Sequence, residues 1–361
     1  MKIIITGGGT GGHFYPALAV AQELLKDKSV ELLYVGERSG IEEKVIKDAH
    51  IDFKGITVKK YLRKKFIQFP FFLFYAFIGC FQSLFIILKF RPNVVAGFGG
   101  YVSAPVVLIS SLLGVKTLIH EQNTVAGLAN RKLAAFVSKI CITFNESLKY
   151  FPAKKTMFTG NPVRQEVLEA KKEISIEKLG LDKDKLVILV FGGSRGAHKI
   201  NITLASGLKY FRDKNLQILH ITGRLDYDEV RAIILTQNFS GYKLYDYADN
   251  MWDFLVCADL VVSRAGATSI AEITDLGIPS ILIPYPFAAE NHQEINAKVL
   301  EKDQASIIIS DKNMTSEILA ENILHIIEDP VLLKKMAQAS KNLGQPKAAQ
   351  KISAAILGLE N

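Results

Sequence analysis

Two apolar patterns alternate along the chain. Short runs rich in β-branched residues recur throughout, and stretches with apolar positions three and four apart lie between them. The strand-like runs are Ile3–Thr6, Glu31–Val35, Val94–Gly97, Thr117–His120, Leu186–Phe191, Gln217–Thr222, Leu260–Ser263 and Ser280–Ile283. Helical spacing is present at Pro16–Leu25, Ile41–Ala49, Thr268–Leu276, Ala320–Ile327 and Ala348–Leu357. This alternation predicts an α/β protein with mainly parallel sheets.

The pattern also repeats. Ile5–His13 (ITGGGTGGH) aligns without gaps on Val190–His198 (VFGGSRGAH), with identities at Gly7/Gly192, Gly8/Gly193, Gly11/Gly196 and His13/His198. Each segment follows an apolar run and precedes a helical one. Two Rossmann-like domains of about half the chain each account for this. Their join is expected near Gly160–Arg164, where Pro162 stiffens the chain. The expected domains are 1–163 and 164–345.

One segment fits neither pattern. Phe66–Phe90 reads FIQFPFFLFYAFIGCFQSLFIILKF, long and apolar enough to span a bilayer. Spanning is rejected because the buried strand at Asn93–Phe98 should join the same sheet as Ile3–Thr6. A helix half packed on the sheet and half offered to a membrane surface is expected instead, with Phe71, Phe72 and Phe74 on the lipid side.

Charge sharpens that expectation. The chain has 361 residues and a net charge of +8. Residues 1–164 carry 22 basic and 10 acidic side chains, whereas residues 165–361 carry 22 and 26. No acidic residue lies between Asp52 and Glu121. Lys59, Lys60, Arg63, Lys64 and Lys65 cluster just before the apolar segment, where they would meet anionic headgroups. An anionic partner for the first half follows. Nucleic acid fits poorly, because a continuous Phe-rich run lacks the polar interleaving of a base-stacking surface. Hydrophobic residues at 49% exclude long disorder, and the three scattered cysteines exclude a disulfide scaffold. The N-terminus, MKIIITGGG, is not read as a signal peptide.

Four glycine-rich turns stand at strand-to-helix junctions: Gly7–Gly12, Gly97–Gly100, Gly192–Ser194 and Gly266–Ser269. Such turns bring backbone N–H groups and a helix N-terminus to a phosphate. The first also fits a dinucleotide pattern through Gly7, Gly9 and Gly12, with Glu37 after the second strand. An NAD-linked oxidoreductase therefore stays open, although it leaves the phosphate loops of the second half unexplained. A UDP-sugar epimerase and a non-catalytic sugar-nucleotide sensor are further alternatives. The D-x-D matches at Asp182–Asp184 and Asp226–Asp228 are read as surface turns, not metal sites.

Seven motifs, in order, carry a family resemblance: TGGGTGGH (Thr6–His13), GFGGYVSAP (Gly97–Pro105), HEQN (His120–Asn123), GNPVR (Gly160–Arg164), GGSRGA (Gly192–Ala197), SRAGATSIAE (Ser263–Glu272) and HQEINA (His292–Ala297). Together they closely resemble the MurG family of peptidoglycan N-acetylglucosaminyltransferases. The resemblance implies the GT-B fold, with two Rossmann-like domains facing across a cleft and the last helix, Ala348–Leu357, crossing back so that 346–361 rejoins the first domain. It implies inverting transfer of N-acetylglucosamine from UDP-N-acetylglucosamine to the C4 hydroxyl of a polyprenyl-pyrophosphate-linked N-acetylmuramoyl-pentapeptide. A peripheral enzyme on the cytoplasmic face of the bacterial plasma membrane follows, with no metal or other cofactor required.

Carried over by position, Arg164 and Ser194 would meet the donor diphosphate. Ala267, Thr268, Ser269, Ile270, Ala271 and Glu272 would line the nucleotide, with Glu272 on the ribose hydroxyls. Ala248 would read the uracil edge, and Gln293 and Asn123 would hold sugar hydroxyls. Thr10, Gly11 and Gly12 would close on the donor. The acceptor diphosphate would lie against Gly8, Gly9, Gly99, Gly100 and Tyr101. His13, following a phosphate loop, is the expected general base; Glu121 is the alternative.

Overall fold

The computed structural model describes residues 1–38, 40–59, 69–193, 196–237 and 239–360. The chain forms two compact units, Met1–Arg164 with Pro346–Asn361, and Gln165–Gln345. The first unit thus keeps Arg164, one residue beyond the expected join.

Seven parallel strands build the first unit: β1 (Lys2–Thr6), β2 (Glu31–Glu37), β3 (Asp52–Ile56), β4 (Val94–Gly97), β5 (Lys116–Glu121), β6 (Lys139–Ile142) and β7 (Thr156–Phe158). Their order is β3-β2-β1-β4-β5-β6-β7. Alternation along β1 shows how the sheet is filled. Ile3 and Ile5 face helix α1 (Gly11–Leu24) and the C-terminal helix Ala348–Leu357, in one cluster with Leu18, Ala21, Ile352 and Ile356. Ile4 faces the other way, onto Val102, Val106 and Ile87. All three isoleucines are fully buried, each contributing roughly 1.5–3 kcal/mol of transfer free energy. The returning C-terminal helix is therefore part of the first unit's core.

The second unit has six parallel strands: β8 (Leu186–Phe191), β9 (Leu216–Ile221), β10 (Tyr242–Tyr245), β11 (Leu260–Ser263), β12 (Ser280–Leu282) and β13 (Ser306–Ile308). They lie in the order β10-β9-β8-β11-β12-β13.

Both orders reverse direction once, between β1 and β4 and between β8 and β11. At such a switch point the chain leaves two adjacent strands toward opposite faces of the sheet, and ligands of open α/β sheets bind at those carboxyl ends. The four glycine loops leave those four strands.

Helix α2 (Ile41–Asp48) follows β2, and α3 (Phe69–Phe90) connects β3 to β4. Because β3 and β4 belong to one sheet, α3 begins and ends on the same side of any bilayer. Length and hydropathy would let Pro70–Phe90 cross a membrane; the sheet forbids it. One stripe of α3, Gly79, Ser83 and Ile87, is buried at a spacing of four. Ser83 Oγ donates to Gly79 O at 2.6 Å, and Gln82 Oε1 accepts from Thr57 N at 2.6 Å. The opposite stripe is exposed and aromatic: Phe71 (66%), Phe74 (60%), Phe77 (70%), Phe81 and Phe85. Phe72 is half-buried, off the exposed stripe. The Lys59 ammonium stands 4.4 Å from the Tyr75 ring centroid. Lys60, Arg63, Lys64 and Lys65 lie outside the described residues.

Candidate functional site

In the first unit the loops after β1 and β4 touch. Gly100, which opens helix α4 (Gly100–Leu112), has φ of +79°, and a Cβ there would stand 2.3 Å from Gly8 O. Only glycine allows this approach. Tyr34 Oη donates to Gly7 O at 2.7 Å, fixing the first loop from beneath. Thr10 precedes α1, and its carbonyl accepts from His13 N and Phe14 N at 3.1 Å each. Gly11 and Gly12 begin the helix with no acidic residue in its own first turn.

His13 is half-buried on that first turn. Its Nδ1 is 3.1 Å from Gln122 Oε1, and Gln122 Nε2 donates to Phe98 O at 2.7 Å. Gln122 Nε2 is also 3.2 Å from His120 Nδ1, and His120 Nε2 donates to Gly160 O at 3.0 Å. Burial pulls the His120 pKa down to about 4, so its ring is neutral near pH 7. Glu121 is differently employed. Its two oxygens accept from Asn123 N (3.1 Å), Gly127 N (2.9 Å) and Asn130 Nδ2 (2.8 Å), which shapes the 121–130 loop. A buried carboxylate so engaged is a loop organiser, and Asn123 is held at its edge.

Two carboxylates stand at the first loop, and only Glu37 was marked by the sequence pattern. Glu42 of α2 is buried and accepts from Gly9 N at 2.6 Å. Gly9, expected to meet a diphosphate, thus has its amide on a carboxylate. Glu37 Oε2 accepts from Tyr101 Oη at 2.6 Å, and the Tyr101 ring lies where a Gly9 Cβ would be, 2.6 Å away. Burial and the neighbouring Glu37 raise the Tyr101 pKa. Glu37, the acid of the dinucleotide pattern, is thus held by Tyr101. Arg164 stacks on Tyr15 of α1, its guanidinium carbon 4.4 Å from the ring centroid.

In the second unit, the helix Ala267–Leu276 follows Gly266 without a side-chain cap and without an acidic residue in its first turn. Ile270 N already bonds Gly266 O at 2.9 Å. The N–H groups of Ala267, Thr268 and Ser269 therefore form the exposed end of the helix dipole. The Ile270 and Ala271 side chains are buried and lie beyond that first turn. Thr268 Oγ1 is buried without a hydrogen-bond partner. Glu272, only 7% exposed, follows at i+4, on the same face. The loop is braced from below: Asn296 Nδ2 donates to Ala265 O at 3.3 Å, and Arg264 pairs with Asp311 at 2.6 Å while donating to Ile283 O. Gln293 Oε1 accepts from Tyr285 N at 2.9 Å, so it shapes the 285 loop. Ala248 lies half-buried in the loop after β10. Gly196 approaches β9 so closely that a Cβ would stand 2.0 Å from Thr222 O. Ser194 lies outside the described residues.

The repeat's second histidine has another use. His198 Nδ1 is 3.0 Å from Asp226 Oδ1, and Asn201 Nδ2 donates to Asp226 Oδ2 at 2.7 Å. His198, Asp226 and Glu229 lie within metal-sharing distance of one another. At the other D-x-D match, Asp182 Oδ1 accepts from Asp184 N at 3.0 Å, an Asx turn.

Two Rossmann-like units, each with glycine loops at its switch point and one with an uncapped helix end beside a buried carboxylate, define a nucleotide-sugar glycosyltransferase of the GT-B class. The chain matches the Glycosyltransferase family 28 N-terminal domain over residues 3–142 and the family's C-terminal domain over 187–352. It is 45% identical to the UDP-N-acetylglucosamine--N-acetylmuramyl-(pentapeptide) pyrophosphoryl-undecaprenol N-acetylglucosamine transferase of Halothermothrix orenii, covering 96% of this chain and 95% of that one. The enzyme of the same name from a Thermoanaerobacter species is 43% identical, covering 98% of each. The crystal structure of Acinetobacter baumannii MurG superposes with a TM-score of 0.78 at 29% identity, covering 99% of each chain. The chain belongs to this family of N-acetylglucosamine transferases.

Proposed function

We propose that the chain transfers N-acetylglucosamine from UDP-N-acetylglucosamine to a membrane-embedded, polyprenyl-pyrophosphate-linked N-acetylmuramoyl-pentapeptide, forming the disaccharide of lipid II. The second unit holds the donor and the first holds the acceptor. The observation that carries this assignment is the uncapped end of Ala267–Leu276, with Glu272 on the same face as Thr268, whose Oγ1 has no partner. First-turn amides meet the diphosphate, and Glu272 accepts from the ribose hydroxyls.

The chemistry is governed by charge. As the C1–O bond to UDP breaks, negative charge grows on the diphosphate and the sugar becomes oxocarbenium-like. The helix end and Arg164 stabilise that charge, so the reaction needs no metal. His13 takes the proton of the attacking C4 hydroxyl, and the transfer inverts the anomeric centre. The diphosphate of the lipid lies near Gly99 and Gly100. Glu42 must yield Gly9 N before that amide can join in.

The outward stripe of α3 seats the first unit on the cytoplasmic leaflet, its basic flank meeting anionic headgroups. Radiolabel transfer from UDP-N-acetylglucosamine tests the whole reading with two acceptors, a water-soluble lipid I analogue and a long-chain one in anionic vesicles. The wild type labels both. A Phe74→Ser/Phe77→Ser/Phe81→Ser variant keeps the soluble reaction and loses at least about tenfold on vesicles. Absence of transfer by the wild type contradicts the function; equal activity of the variant on vesicles contradicts the membrane role.

A further inference from the structure

The polar chain behind His13 has a direction, and hydrogen-bond chemistry alone sets it. A backbone carbonyl can only accept. Phe98 O lies 2.7 Å from one end of the Gln122 amide, so that end is the nitrogen. The other end, 3.1 Å from His13 Nδ1, is then the oxygen. An amide oxygen also only accepts, so the hydrogen of this pair belongs to His13 Nδ1. The opposite side of the network agrees. Gly160 O requires a hydrogen on His120 Nε2, which makes His120 Nδ1 the acceptor for the second hydrogen of Gln122 Nε2 at 3.2 Å. Flipping Gln122 would set its oxygen against Phe98 O and break both ends. Burial keeps His120 neutral, as this arrangement needs. Gly99 makes room for the contact, since a Cβ there would stand 2.9 Å from His13 Nδ1.

We infer that Gln122, backed by His120, is a positioning residue that locks His13 as its Nδ1–H tautomer and so makes Nε2 the nitrogen that receives the acceptor's proton. This rests on the reading of His13 as the base. As the acceptor oxygen bonds C1 and the C1–O electron pair leaves with UDP, the hydroxyl proton moves to Nε2. The resulting imidazolium still donates Nδ1–H to Gln122 Oε1. The wrong tautomer would present a hydrogen where a lone pair is required.

Long-range ¹H–¹⁵N correlation at neutral pH reads the tautomer directly. The chain has seven histidines, and the His13 signals are those that vanish in His13→Gln. The wild type is expected to show the Nδ1–H pattern for His13. Gln122→Leu is expected to lose that pattern and to lower kcat about 10²-fold, with KM for UDP-N-acetylglucosamine within about twofold. A wild-type Nε2–H pattern overturns the inference, whether or not the variant folds. An unchanged His13 pattern in folded Gln122→Leu overturns it as well. The spectrum needs no turnover, so the two readings separate. An active His13→Ala removes the base and leaves the tautomer lock standing, whereas an Nε2–H spectrum removes the lock whatever that variant does.

Discussion

Replacing His13 by alanine lowers kcat by about 10³-fold, the middle of the range for a lost general base, while KM for UDP-N-acetylglucosamine stays within about threefold. The direction follows from where His13 sits. It is on the first turn of α1, in the unit assigned to the acceptor, and its Nδ1 is tied back to Gln122. Truncation removes a proton acceptor and leaves the helix Ala267–Leu276 of the other unit untouched. The fold should survive, because the half-buried ring is not part of the cluster that holds α1 to β1. Steady-state kinetics with the soluble acceptor checks this, and near-normal kcat at saturating substrates would take His13 out of the chemistry.

Replacing Glu272 by alanine acts on the other substrate. It weakens UDP binding about 10²-fold, because two hydrogen bonds from ribose hydroxyls to a carboxylate are worth together roughly 3 kcal/mol. Glu272→Gln keeps the volume and one acceptor, and should lose about tenfold. Titration calorimetry with UDP is the measurement. Wild-type affinity in Glu272→Ala would place the ribose elsewhere.

Much of the architecture was legible because the central strands are continuous apolar runs. β4 and β11 are buried throughout and β1 and β8 all but their first residue, and glycines follow within a few positions. Strands β3 (DFKGI) and β10 (YKLY) were missed, since they carry charged residues and are mostly half-exposed at sheet edges. β6, β7 and β13 were missed as well. Helix α3 was visible by composition, but its orientation was not. Phenylalanine lies on nearly every face, so periodicity could not separate Gly79, Ser83 and Ile87 from the outward stripe.

The site divides the same way. Glycine loops and an uncapped helix end are local features, and spacing reveals them. The partners of those loops come from far away in sequence. Glu42 reaches Gly9 across 33 residues, and Gln122 reaches His13 across 109. One signal was present: His120, in β5, and Gln122, just past its end, stand two apart, the spacing that puts side chains on one side of an extended chain.

The central claim is that main-chain amides opening the helix Ala267–Leu276 hold the donor diphosphate, with the uridine ribose on Glu272. A crystal structure of the enzyme with UDP-N-acetylglucosamine tests it most directly. The account predicts phosphate oxygens within hydrogen-bond distance of the Ala267–Ser269 amides and both ribose hydroxyls on the Glu272 carboxylate. Nucleotide bound instead at the Gly7–Gly12 loop, with Glu272 untouched, would contradict it.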